Sequence, residues 1–313
     1  MRGRMETVMS DCLNDVLRDT RAALALRLAG QAGQMLVHAF WRGSTVDSKR
    51  NAAKGLADDP VSAADRAAER LMRENIAEAF PDDGILGEEF GASPQAGSGH
   101  VWVLDPIDGT RSFICGLPGW TVLIALLREE MPVLGLVHEP LSGMTIIGNG
   151  SRCWRLLHGR VEDAEQVRVR KTVRLEQAFC GTTLPRLYDT PGRSALLQAL
   201  QQRARHVQFD ADALFYAALA QGRLDVALDT RLALHDAAAL VPIVRGAGGI
   251  ISDWCGRQAA LPGSDIIACA TPALHEQMLA LLEETGAAAE SQADATCTPS
   301  ADDQGPGSNG GQD

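Results

Sequence analysis

Residues 101–113 read Val-Trp-Val-Leu-Asp105-Pro-Ile-Asp108-Gly-Thr110-Arg-Ser-Phe, and no other stretch constrains the chain as strongly. An apolar run with strand character ends in two carboxylates, and Pro106 and Gly109 force a tight turn from strand to helix. Acids crowded at a strand end repel each other and need a counter-ion. A ligand set of oxygens alone selects a hard divalent cation such as Mg2+. The helix opening at Gly109-Thr110 presents backbone N–H groups that suit a phosphate. Metal and phosphate at one corner point to phosphoryl chemistry.

The rest of the chain is long enough to build that corner. Its 313 residues allow one large domain or two subdomains, and 45% hydrophobic with 22% charged residues fits a globular enzyme. The net charge of −11 argues against a nucleic-acid backbone or an anionic membrane as partner. Residues 286–313 contain Glu290, Asp294, Asp302, Asp303 and Asp313 without Lys or Arg, and no apolar period survives there. That stretch reads as a disordered acidic tail. The seven cysteines are scattered with no Cys-x-x-Cys, as in a reduced, cytoplasmic protein, and no leader or membrane-spanning run is evident.

Helical spacing of apolar residues over 11–40 predicts a first helix, and Gly43–Pro60 reads as a loop. A second helix, capped by Ser62 or Asp65, runs to about Phe80. Strands are predicted at 84–86, 101–104, 121–127, 133–138 and 144–147. The second half alternates helices (193–205, 211–221, 235–245, 272–284) with strands (206–209, 224–228, 250–253, 266–270), Thr271-Pro272 being an N-cap and N1 pair. This pattern predicts an α/β, layered α+β architecture.

Further acids stand where elements meet: Asp65 at a helix start, Glu88 and Glu89 after a short strand, and Asp236 in His235-Asp-Ala-Ala. Taken singly each has a plainer reading. Asp65 suits an N-cap, Asp236 a helix-start acid favoured by the macrodipole, Thr110 a turn, and Glu88 and Glu89 a solvated loop. Only the joint pattern outweighs these readings, and Glu89 is left as structural.

Gly87-Glu88-Glu89, Asp105-Pro-Ile-Asp108-Gly-Thr110 and His235-Asp236-Ala-Ala together resemble the inositol-monophosphatase superfamily, from about residue 18 to 284. The resemblance implies alternating α-β-α-β-α layers in a catalytic unit over 18–285, with subdomains of about 18–158 and 159–285. It also implies a homodimer and a Mg2+-dependent phosphomonoesterase with two to three ions per site. Glu88, Asp105 and the Ile107 carbonyl oxygen would bind one ion, and Asp105, Asp108 and Asp236 a second. A third would lean on Glu88. Asp65 and Thr110 match the pair that orients and deprotonates the attacking water, and the N–H groups of Gly109 and Thr110 would hold phosphate oxygens.

Arg111-Ser-Phe-Ile-Cys-Gly116, the Pro132–Pro140 segment and Ala238–Gly256 resemble the histidinol-phosphate phosphatase branch. In that reading Asp212, ahead of Tyr216, and Asp229 face the substrate, where the amine and imidazole of histidinol phosphate meet them in charge-assisted hydrogen bonds. Both acids also read as caps of strands or helices. Ala211, His235 and Arg245 depart from the branch. His235 reads as filling a packing slot and Arg245 as a solvated helix-end cation. Inositol 1-phosphate or a 3′-phosphonucleotide is the alternative substrate. A regulatory module on the same scaffold is the alternative of another class, disfavoured by the intact acid set.

Overall fold

The computed structural model describes residues 13, 14, 16–42, 46–51, 56–93, 97–257 and 264–297. Helix α1 (Thr20–Arg42) buries Leu24, Leu28, Ala32, Leu36 and Phe40, a stripe repeating every four residues. Strands β1 (Val46–Asn51) and β2 (Leu56–Ser62) pair antiparallel, with Val46 opposite Ser62, where the sequence reads as a loop. The pairing is made by the backbone, so a polar composition does not betray it. Helix α2 (Ala63–Ala79) repeats the four-residue stripe with Ala64, Ala68, Met72 and Ile76.

Eight strands then form one sheet: β3 (Gly84–Gly87), β4 (Gly91–Ala92), β5 (His100–Asp108), β6 (Thr121–Arg128), β7 (Met131–Glu139), β8 (Met144–Gly148), β9 (Cys153–Leu157) and β10 (Glu165–Gln166). Their order is β10-β9-β8-β7-β6-β5-β3-β4, with β3 and β5 parallel and the other neighbours antiparallel. A second sheet holds β11 (Phe179–Thr182), β12 (His206–Phe209), β13 (Val226–Leu232), β14 (Ile250–Asp253) and β15 (Ser264–Cys269), ordered β12-β11-β13-β15-β14.

Side-chain alternation along the strands shows how the layers stack. On β5 and β6, Trp102, Leu104, Val122 and Ile124 share a core with α1 and α2, whereas Val103, Leu123 and Ala125 face the opposite way. That second core contains helix α5 (Ala213–Ala220) and helix α7 (Leu240–Gly246), together with Ala227, Ile266 and Ala268 of the smaller sheet. The other face of the smaller sheet, through Val226, Leu228, Ile267 and Cys269, packs on α4 (Pro191–Arg203) and α8 (Pro272–Glu284). The result is helix, sheet, helix, sheet, helix, the layered α/β order that the resemblance implies.

The helix expected over 235–245 is broken into α6 (Leu234–Ala237) and α7. Pro242 lacks an N–H and its ring crowds the carbonyl of residue 238, which ends the first segment there. Strands β9 and β11 are not evident in the sequence, because Arg155 interrupts one short run and Gly181 the other.

The tail also needs correction. Residues from 286 do not begin as disordered chain: Ala287–Cys297 is a helix, α9, and residues 298–313 lie outside the described residues. Glu290 accepts hydrogen bonds from the backbone N–H groups of Gly192 (2.8 Å) and Arg193 (3.0 Å) and from the Thr190 hydroxyl. It thereby serves as the N-terminal cap of α4, where Thr190 makes no side-chain cap of its own. Glu290→Ala should lower stability by about 1–2 kcal/mol, read as the urea midpoint.

His138 on β7 is buried, and its Nδ1 lies 2.9 Å from the Thr145 hydroxyl opposite it on β8. Burial pushes this imidazole down to about 4. A depressed pKa means that the neutral ring stabilises the fold above the unfolded value near 6.5, and that this contribution is lost as pH falls towards 4. The stability difference between wild type and His138→Gln should therefore shrink from pH 7 to pH 4.5, measured by urea unfolding at both. No helix among the described residues is long and apolar enough to cross a membrane. Cys115, Cys153, Cys180, Cys255 and Cys269 form no disulfide.

Candidate active site

The Asp105–Asp108 pair owes its geometry to an irregular strand. In the β5–β6 pairing Asp105 stands opposite Leu123 and Asp108 opposite Thr121, so Pro106 and Ile107 share one partner position. Pro106 cannot donate to the ladder, and a bulge forms. Without it, residues three apart would point to opposite faces of the sheet; with it, both carboxylates reach the same place.

Each acid of this cluster has one oxygen pinned. Asp105 Oδ1 accepts from the Ile107 N–H (3.1 Å). Asp108 Oδ2 accepts from the Ala213 N–H (2.9 Å) and the Thr121 hydroxyl (3.3 Å). Asp236, in the first turn of α6, reaches back to the Ala233 N–H (2.8 Å). So anchored, Asp105, Asp108 and Asp236 bring ligand oxygens within 4.8 Å of one another. Burial above all, then the charges of Glu88, Asp108, Asp236 and Asp65, lifts the Asp105 carboxyl well above the usual carboxylate range. Three carboxylates in that volume stay ionised together only beside a cation, and an oxygen donor set fits a hard divalent ion.

A second group joins the first. Asp65, Glu88 and Glu89 also hold ligand oxygens within 4.8 Å of one another. Asp65 is buried in the first turn of α2, and Glu88 and Glu89 follow β3. One turn after Asp65, buried Glu69 pins their loop: its carboxylate accepts from the N–H groups of Glu89 (2.7 Å) and Phe90 (3.2 Å) and pairs with Arg73 (2.6 Å). Gly87 permits this approach, since a Cβ there would lie 1.9 Å from Glu69 Oε1. Glu89, read as structural from the sequence, thus stands with the candidate ligands. Glu89 lies in the Gly87-Glu88-Glu89 motif, whereas Glu69 belongs to no motif that singles it out.

One cleft is lined by Glu88, Asp105, Ile107, Asp108, Gly109, Thr110, Asp212, Asp229 and Asp236, nine of the ten residues picked from the sequence. Asp65 is 1% exposed and is not among the lining residues. The Thr110 hydroxyl donates to the Ile107 carbonyl oxygen (2.9 Å). Helix α3 (Thr110–Ile114) has only five residues, so any phosphate affinity at this turn rests on local N–H groups and not on a long macrodipole. Gly109, at φ 83°, makes the turn; a Cβ there would lie 2.6 Å from the Gly119 carbonyl oxygen.

Across the cleft, Asp212 opens α5 with φ 39° and lies 3.8 Å from Arg111. Its neighbour Ala213 donates to Asp108, so the two sides of the cleft share a hydrogen bond. Asp229 on β13 is 2% exposed and accepts from the Thr183 N–H (2.8 Å). Burial first, then the charge of Asp212, lifts its carboxyl well above the usual range. Tyr216, which follows Asp212 in the segment singled out from the sequence, lines this side with Thr183 and Thr230, which no motif marks. His235 departs from the packing slot expected for it. Its Nε2 lies 4.0 Å from Glu88 Oε1 and 3.7 Å from Asp236 Oδ1, facing both acids. Arg245 falls in the last turn of α7 and does not line the cleft.

Comparison with known proteins covers most of the chain. The profile of the inositol monophosphatase family matches residues 17–287. The chloroplastic bifunctional phosphatase IMPL2 of Arabidopsis thaliana is 32% identical, over 87% of this chain and 77% of that protein. A histidinol-phosphatase of Chlorobaculum parvum is 37% identical, over 78% of this chain and 90% of its own length. Among solved structures, the extragenic suppressor protein suhB of Bartonella henselae superposes with a TM-score of 0.76 at 27% identity, covering 85% of this chain and 99% of that one.

Proposed function

Since the chain belongs to the inositol monophosphatase family and is a phosphatase, we propose that it hydrolyses L-histidinol phosphate to L-histidinol and phosphate with Mg2+. The observation that carries the substrate is the acid pair opposite the metal-ligand cluster. Burial and then the charge of neighbouring Asp212 raise the proton affinity of Asp229, and a cationic substrate group relieves that repulsion. The amine and imidazole of histidinol phosphate supply such groups. A neutral polyol phosphate offers none, and an adenine nucleotide adds negative charge. Relatives named histidinol-phosphatase at 32–37% identity support the same choice.

Asp105, Asp108, Asp236, Glu88 and the Ile107 carbonyl oxygen would hold two to three divalent ions. Once bound, those ions place positive charge at the phosphoryl group and make water more acidic. The chain's own groups do the rest. The N–H groups of Gly109 and Thr110 hold phosphate oxygens. The Thr110 hydroxyl orients the attacking water and Asp65 takes its proton. Asp212 and Asp229 fix the amino-alcohol so that its phosphate lies in line with that water.

Asp212→Asn tests the substrate directly. It should cut kcat/KM for histidinol phosphate by about tenfold to a hundredfold, the worth of one charge-assisted hydrogen bond. The loss on p-nitrophenyl phosphate should stay within about threefold. Equal losses on both substrates would remove Asp212 from substrate recognition.

A further inference from the structure

β13 is irregular where it meets the cleft. Its pairing with β15 runs Asp229 opposite Ile266 and then Leu232 opposite Ser264, so Thr230 and Arg231 together face the single residue Asp265. That is a β-bulge, which re-aims side chains at a sheet end. In a regular strand Asp229 and Leu232, three residues apart, would point to opposite faces; here both line the cleft, while the Thr230 hydroxyl turns to Asp265. Arg231 takes φ 59° to accommodate the extra residue, a conformation that a non-glycine residue keeps only under constraint.

Asp265 supplies the constraint. Its Oδ1 accepts from both residues of the bulge, the Thr230 hydroxyl at 2.6 Å and the Arg231 N–H at 2.8 Å. Its Oδ2 accepts from Arg193 of α4 at 2.6 Å. Arg193 is wholly buried, packs over the Trp254 ring and pairs also with Asp294 of α9 at 2.9 Å. From outside, the Arg231 side chain grips Asp189 through two hydrogen bonds. The bulge is therefore held from within by one carboxylate whose counter-ion spans to the C-terminal helix.

We infer that Asp265 is a positioning residue for substrate selection: by clamping the β13 bulge through Thr230 and Arg231 it presents Asp229 to the cationic part of the substrate. The inference rests on the reading of Asp229 as a substrate ligand. Arg193 and Asp294 act one step further out, by holding the Asp265 carboxylate in place.

The test compares kcat/KM for histidinol phosphate with kcat/KM for p-nitrophenyl phosphate in wild type, Asp229→Asn, Asp265→Asn and the pair Arg193→Met with Asp265→Leu. The ratio of two substrates on one preparation does not depend on the fraction folded. Asp265→Asn keeps an oxygen acceptor for Thr230 and Arg231 and should hold the ratio within threefold of wild type. The apolar pair removes the acceptor without leaving a buried charge, and should lower the ratio at least tenfold. A pair variant with the wild-type ratio, or one that loses turnover on both substrates alike, overturns the inference and assigns Asp265 to the fold alone. Asp229→Asn separates the two readings: if it leaves the ratio unchanged, the substrate reading fails, whereas a lowered ratio there with an unchanged pair variant fails the bulge clamp only.

Discussion

Asp105→Asn should lower phosphate release by about three orders of magnitude or more, while making the metal-free protein more stable. The first effect follows from the place of Asp105 in the carboxylate cluster, because a thousandfold is about 4 kcal/mol of transition-state stabilisation, well within what lost charge neutralisation removes. The second follows from the lifted pKa of Asp105. A carboxyl whose folded pKa is raised stabilises the fold below its unfolded pKa, and that contribution is lost as pH rises through the folded value. At pH 7 the metal-free protein therefore bears the cost of a buried charge among like charges. Asparagine keeps the shape and the oxygen that accepts from the Ile107 N–H, but never ionises. The variant should be more stable than wild type at pH 7 and converge with it towards pH 4. Millimolar Mg2+ should raise the melting temperature of wild type and leave that of the variant unchanged, since only a ligand bound to the folded state stabilises it. Calorimetry with and without EDTA measures the two stability effects, and a phosphate-release assay the loss of turnover. A variant less stable than wild type without metal contradicts the electrostatic reading of the cluster.

Arg193→Met should cost about 3–5 kcal/mol, the largest stability loss expected from a single substitution here, because it strands Asp265 without its buried counter-ion. Adding Asp265→Leu should recover part of the loss by removing the stranded charge. Recovery stays incomplete because the Thr230 hydroxyl and the Arg231 N–H then lack their acceptor. Urea unfolding of the single and paired variants gives the comparison, and a paired variant less stable than Arg193→Met alone would contradict it. Arg193 also ties α9 to the folded unit: Asp294 and Glu290 meet residues of α4 about a hundred positions earlier in the chain.

Much of this architecture is written in local patterns. The apolar residues of α1 and α2 recur every four positions, the Thr271-Pro272 cap starts α8 where expected, and the alternation on β5 and β6 sorts residues between two cores. The acid set was legible because its members sit at strand and helix ends, and Pro106 marks the first bulge directly. Other features depend on distant partners. Nothing in Asp229-Thr-Arg-Leu announces the second bulge, since it contains neither Pro nor Gly and its clamp lies 35 residues away at Asp265. Ala-rich α9 shows no apolar period, and it forms by capping another helix. Glu69 stayed hidden, and Glu89 read as structural, for a related reason: the Gly87–Gly91 loop folds over a carboxylate from the preceding helix.

The central claim is that the metal-ligand cluster performs phosphomonoester hydrolysis while the Asp212–Asp229 side selects a cationic substrate. Phosphate release with Mg2+ from histidinol phosphate, inositol 1-phosphate and 3′-phosphoadenosine 5′-phosphate, each at equal concentration, tests both halves at once. The predicted result is a kcat/KM for histidinol phosphate at least tenfold above either of the others, abolished by EDTA. A preference for inositol 1-phosphate or the nucleotide would contradict the role given to the acid pair, and release from none of the three would contradict the account of the site.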